Sequence, residues 1–308
     1  MKSTNKSIKE LRKICQSPVK GKDGEFCDLW YRPVSIYLTR FLLCTPISAG
    51  QVTLLSIISG LAAAMLMVAG SSIKDIISAI FLQLYWLLDF SDGEVSRFRK
   101  TDSLTGHYLD FLAHYIVFPI FLIGMTFGAY KDVKAIWVFI FGFSAIFCVS
   151  MYKDIVSIAY LVACYKKEAL VKDPGPEGVR GLMVGLPKQS HTQPINFLKK
   201  IKVRAENILC KFPRLKVTLF TIATIFIKEI GSEAFIIFSI FFPLIGDLIW
   251  GGVNFSGKHY RFMTLYLVLL GGVSPIYILV KIVENVKAHL AEQKYRNLFV
   301  KQVVENLS

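Results

Sequence analysis

The chain has 308 residues, of which 54% are apolar and 19% charged, with a mean hydropathy of +0.50. Its apolar residues come in blocks too long for a soluble core, Val52–Gly70 being one that holds no charge. This excludes a disordered chain, a disulfide scaffold, a collagen-like rod and an ordinary cytosolic enzyme. Thirty-six Lys+Arg against 22 Asp+Glu give a net charge of +14. With this hydropathy, such basicity marks cytoplasmic loops facing anionic lipid headgroups rather than a nucleic-acid partner.

The N-terminus, MKSTNKSIKELRK, is charged and leads into no short apolar core, so it does not read as a cleavable signal peptide. Residues 1–43 read as a cytoplasmic segment ending in an interfacial amphipathic helix, Asp28–Leu43, whose apolar residues are interspersed with Arg32 and Arg40. After the turn Thr45–Gly50, a membrane domain is expected over 44–285. Its spans fall at about 51–70, 76–98, 104–128, 135–163, 234–252 and 262–283. Residues 217–230 read as a half-inserted lead-in to the fifth span. The intervening loop 166–216 holds 12 Lys+Arg against four acids and the Gly/Pro-rich DPGPEGVRGLMVGLP. A polar tail, 286–308, closes the chain. The expected fold is therefore all-α: a polytopic membrane protein with six transmembrane helices and an N-terminal interfacial helix.

Six spans place the N-terminus, the 99–103 turn, the 166–216 loop and the tail on one side, with about 29 of the basic residues. The other side holds Lys74, Lys131, Lys134, Lys258 and Arg261. The positive-inside rule then puts both termini in the cytoplasm. A seventh span through 217–230 would send the basic tail outside and is disfavoured. The six cysteines form no CxxC pair and read as small apolar residues or free thiols.

The chemistry concentrates in Asp89–His114, DFSDGEVSRFRKTDSLTGHYLDFLAH. Asp89 and Asp92, spaced i,i+3, share one helix face, and Asp110 and His114, spaced i,i+4, share another. The short turn between the two helices makes them a hairpin, with both pairs within a few turns of it. Carboxylates inside a membrane are costly and mark functional sites by default. Clustered carboxylates repel unless cations neutralise them, and hard oxygen donors suit Mg²⁺ or Mn²⁺, whose shell is commonly completed by water and substrate phosphate. The residues alone thus lead to a divalent ion and a phosphate-bearing substrate at a membrane surface. Gly93 and Gly106 leave room for a close approach, and Arg97, one turn beyond Gly93, is within reach of a diphosphate.

The pattern D-x2-D-G-x2-S-R-x8-G-x3-D-x3-H resembles the CDP-alcohol phosphotransferase (CDP-alcohol phosphatidyltransferase) signature D-x2-D-G-x2-A-R-x8-G-x3-D-x3-D, with every spacing intact. The stretch RPVSIYLTRFLLCTPISAGQVTLLSIISG resembles the same family's interfacial helix and first span, so the likeness covers roughly residues 28–285. It implies transfer of a phospho-alcohol from a CDP-alcohol, CDP-diacylglycerol or another, to an acceptor hydroxyl, with release of CMP, in lipid biosynthesis. It also implies a homodimer. Asp89, Asp92 and Asp110 would be metal ligands, for one or two ions. Gly93, Ser96, Arg97 and Gly106 would border the CDP group. His114 would be ligand and general base where the family has aspartate.

Two readings of His114 stand side by side. As the base it suits proton abstraction near neutrality; as a departure from the family it signals altered or lost activity and a CDP-alcohol binder. A transporter is a third class that tolerates buried carboxylates. Glu94, Arg99, Lys100 and Asp102 read as surface charges. Lys153 and Asp154 read as a pair within the fourth span or as acceptor contacts. Asp247 is a lone acid in the fifth span, with a cavity-facing role as the alternative. Arg180 and Lys188 read as lipid-facing charges, with closure over the nucleotide as the alternative.

Overall fold

The computed structural model describes residues 6–21, 25–151, 158, 162, 233–255 and 258–287. The expectations for 166–216, 217–230, Lys153–Asp154 and the tail beyond 287 lie outside the described residues. The chain divides into two compact units. One comprises residues 1–150 and 223–275; the other comprises 151–222 and 276–308, whose described residues are all helical.

Helix α1 (Ile8–Cys15) starts on a capping box, the Ser7 hydroxyl accepting from the Glu10 N–H while the Glu10 carboxylate accepts from the Ser7 N–H. The expected interfacial helix is two helices, α2 (Glu25–Trp30) and α3 (Arg32–Leu43), with Pro33 in the first turn of α3. Helix α4 (Ala49–Met67) opens on a second capping box, Ser48 with Gln51. Helix α5 (Ser72–Arg99) ends where Lys100 takes the left-handed conformation, and Ser103 caps α6 (Leu104–Val133). Then follow α7 (Trp137–Met151), α8 (Glu233–Ser239), α9 (Phe241–Trp250), β1 (Val253–Phe255), β2 (Lys258–Tyr260) and α10 (Phe262–Lys287).

The fold is mostly helical, as expected. Among the described residues, Ala49–Met67, Leu104–Val133 and Phe262–Val283 are long and apolar enough to cross a membrane, and Trp137–Met151 and Ile236–Trp250 are shorter apolar helices. The predicted fifth span is broken at Ile240, because Pro243 has no N–H for the Ser239 carbonyl. The antiparallel pair β1–β2, with Asn254 opposite His259, was not foreseen.

Helices α4, α5 and α6 pack together and carry the site. The buried residues of α4 form a stripe at helical spacing: Val52, Thr53, Ser56, Ser59, Gly60, Ala63, Ala64 and Met67. The serines, alanines and glycine among them let backbones close in, and a Cβ on Gly124 of α6 would run into the Ala64 carbonyl. Ser59 donates to the Phe81 carbonyl (2.8 Å) and Ser78 to the Ala63 carbonyl (2.6 Å), tying α4 to α5.

Two polar knots hold the ends. At the α5 N-terminus, Arg261 bridges Asp75, Asp132 (3.3 Å) and Asp247 (3.7 Å). Asp247 also accepts from the Phe262 N–H (2.5 Å) and the Met263 N–H (3.2 Å), capping α10. At the other end, Glu94 is fully buried. It accepts from Gln16 (2.8 Å), Ser35 (2.7 Å) and Thr39 (2.6 Å), which corrects its reading as a surface charge. Arg99 is likewise engaged, donating to the carbonyls of Ile47 (2.5 Å) and Thr45 (2.8 Å).

Candidate active site

The α5–α6 hairpin sets two helices side by side with a four-residue turn, so residues at equal distance from it face one another. Asp89, Asp110 and His114 meet there, each offering a ligand atom within 4.8 Å of the others. His114 Nε2 lies 3.3 Å from Asp89 Oδ1 and 3.7 Å from Asp110 Oδ1. The Asp89 and His114 side chains are about nine-tenths buried, whereas Asp110 is 39% exposed, giving the cluster one open flank.

The imidazole is held from behind. Tyr85, fully buried, places its hydroxyl 3.0 Å from His114 Nδ1. Trp86 meets the ring edge-on, with centroids 5.2 Å apart at 75°. When Nδ1–H donates to the phenol oxygen, Nε2 turns a lone pair toward the carboxylates; when the phenol donates, Nε2 carries the hydrogen there. In either tautomer Nε2 is the working atom.

Asp92 shares the α5 face expected of it but turns toward α4, where the Thr53 hydroxyl donates to its Oδ2 at 2.6 Å. Arg97 donates from Nε to the Cys15 carbonyl (2.6 Å), and its two Nη atoms lie over Gly93. A Cβ on Gly93 would sit 3.1 and 3.3 Å from them, so the missing side chain is what admits the guanidinium. The Ser96 hydroxyl donates to Asp102 (2.5 Å), closing the turn after α5, and Asp102 is thus more than a surface charge. Gly106 lies in the exposed first turn of α6, its N–H donating to the Ser103 cap. Asp247 belongs to the Arg261 knot.

The donor set fits a hard divalent cation: carboxylates and one imidazole converge on a largely buried spot where like charges repel. Tyr85 and Thr53 were not singled out from the sequence. Tyr85 stands i−4 from Asp89, so the stripe Tyr85–Asp89–Asp92–Ser96 was available on α5.

The hairpin that carries this acidic cluster falls within a segment that is similar to a known family. Residues 47–184 match the family model of CDP-alcohol phosphatidyltransferase. That segment contains α4, the hairpin and every residue of the signature, and it is shorter than the 28–285 likeness expected. No curated protein matches the chain.

Proposed function

We propose that the protein transfers a phospho-alcohol group from a CDP-alcohol to an acceptor hydroxyl, releasing CMP, in a metal-dependent reaction within the membrane. The meeting of Asp89, Asp110 and His114 at one end of the hairpin carries this reading. These three, with Asp92 beside them, would hold one or two Mg²⁺ or Mn²⁺ ions. A bound divalent ion supplies charge neutralisation at the diphosphate and at the departing CMP.

The chain's own residues supply the rest. Asp110, on the open flank, faces the incoming reactants. Arg97 offers its Nη donors to diphosphate oxygens. His114 Nε2, whose single lone pair serves either an ion or a proton, takes the proton of the acceptor hydroxyl when the carboxylates alone hold the ion. The oxygen then attacks the phosphorus distal to cytidine, forming the new P–O bond as the bond to CMP breaks. In-line placement of the two reactants lowers the barrier. A site opening among lipid-facing helices suits at least one lipid reactant, and the distribution of basic residues supports a cytoplasmic opening.

The test is CMP release by the full chain in nanodiscs, with a panel of CDP-alcohols and acceptors plus Mg²⁺ or Mn²⁺. Release by wild type and its loss in a folded His114→Ala variant are expected. CDP-alcohol binding without release would instead establish a binder, and movement of unchanged substrate would establish a transporter.

A further inference from the structure

We propose that the C-terminal end of α1, upstream of the matched family domain, positions the anion-binding edge of Arg97 and thereby sets affinity for the donor's diphosphate. This rests on the function proposed above. Cys15 is the last residue of α1, where carbonyls lack intrahelical partners and carry the negative end of the helix dipole. Arg97 Nε donates to that carbonyl at 2.6 Å. A guanidinium is a rigid planar fork, so committing Nε to one partner fixes where Nη1 and Nη2 point. They lie over Gly93, the residue after Asp92 and one turn from Asp89. The cationic edge is therefore held at Gly93, one helical turn from Asp89 on α5, where it would offer two donors to a diphosphate.

α1 is itself fixed in register. Gln16, the next residue, donates to Glu94 (2.8 Å) and to the Arg32 carbonyl (2.7 Å). Glu94 and Arg97 are i,i+3 on α5 and so grip adjacent residues, 16 and 15, from one helix face. Leu11 and Cys15 are fully buried with Ile36 beneath them. No feature of the family signature requires this contact, because residues 15 and 16 lie outside the matched segment.

The experiment compares full-length wild type, Gln16→Ala and Arg97→Lys in nanodiscs. It reads KM for the CDP-alcohol, kcat at saturating donor, and CDP affinity by calorimetry with Mg²⁺. Gln16→Ala releases α1 without touching the cluster; Arg97→Lys keeps the charge but cannot both hold the carbonyl and present two donors. Both are expected to raise KM and the CDP dissociation constant at least about fivefold, with kcat for Gln16→Ala within about twofold of wild type. Unchanged KM in Gln16→Ala, or a fall in kcat or melting temperature without a rise in KM, would overturn the positioning role. Should Gln16→Ala fail to fold, unchanged KM and CDP affinity in Arg97→Lys would overturn it too. Absence of both CDP binding and CMP release in wild type would instead strike the underlying function, which separates the two failures.

Discussion

The Tyr85 hydroxyl lies 3.0 Å from His114 Nδ1, which leaves Nε2 to face Asp89 and Asp110. Groups hydrogen-bonded behind a metal-binding histidine orient it and commonly matter tenfold or more. Tyr85→Phe keeps the ring packed against Trp86 and removes only the hydroxyl. CMP release and Mn²⁺ affinity, the latter by electron paramagnetic resonance, are each expected to fall about 10–100-fold. Wild-type values in both would show that the ring needs no such support.

Glu94 satisfies three donors in a fully buried place. Glu94→Ala leaves Gln16, Ser35 and Thr39 without that partner and opens a small cavity. A loss of about 2–4 kcal/mol is expected, read as a lowered melting temperature in detergent. A surface charge at this position would give almost no change.

Arg261 gathers Asp75, Asp132 and Asp247 from three helices. Arg261→Met fills much of the volume but strands buried carboxylates, at a cost of about 3–5 kcal/mol. Adding Asp75→Asn to Arg261→Met is expected to recover part of that loss, because fewer charges are then left uncompensated. The readout is thermal unfolding monitored by size-exclusion retention; equal loss in the single and double variants would argue against an electrostatic knot.

Cys15 and Cys44 should differ in reactivity. Burial, with the Glu94 charge adding to it, pushes the Cys15 thiol up to about 11, whereas Cys44 is exposed. The thiolate is the reactive form, so at pH 8 Cys15 is almost entirely protonated and its labelling should rise only as the pH approaches 11. Peptide mapping after maleimide treatment is expected to find Cys44 modified first. Rapid labelling of Cys15 at pH 8 would mean that α1 is not seated.

The hairpin and its cluster were legible because they rest on local periodicity: i,i+3 and i,i+4 spacing fixes which side chains share a face, and a short turn fixes which faces meet. Glu94 was misread because its partners come from residues 16, 35 and 39, separations that no helical period encodes. The Arg261 knot was hidden for the same reason, its carboxylates being contributed by α5, α6 and α9. Asp92 stood on the expected face, yet its turn toward Thr53 depends on how α4 packs against α5. Pro243 was visible in the sequence, but the apolar run around it outweighed a one-residue break.

The most direct test of the central claim is metal-dependent CMP release by wild type and Asp89→Ala, measured in parallel after chelation and after re-addition of Mn²⁺. The account predicts release by wild type only when the ion is restored, and none above background in folded Asp89→Ala. Full release by the chelated protein, or by Asp89→Ala, would contradict it.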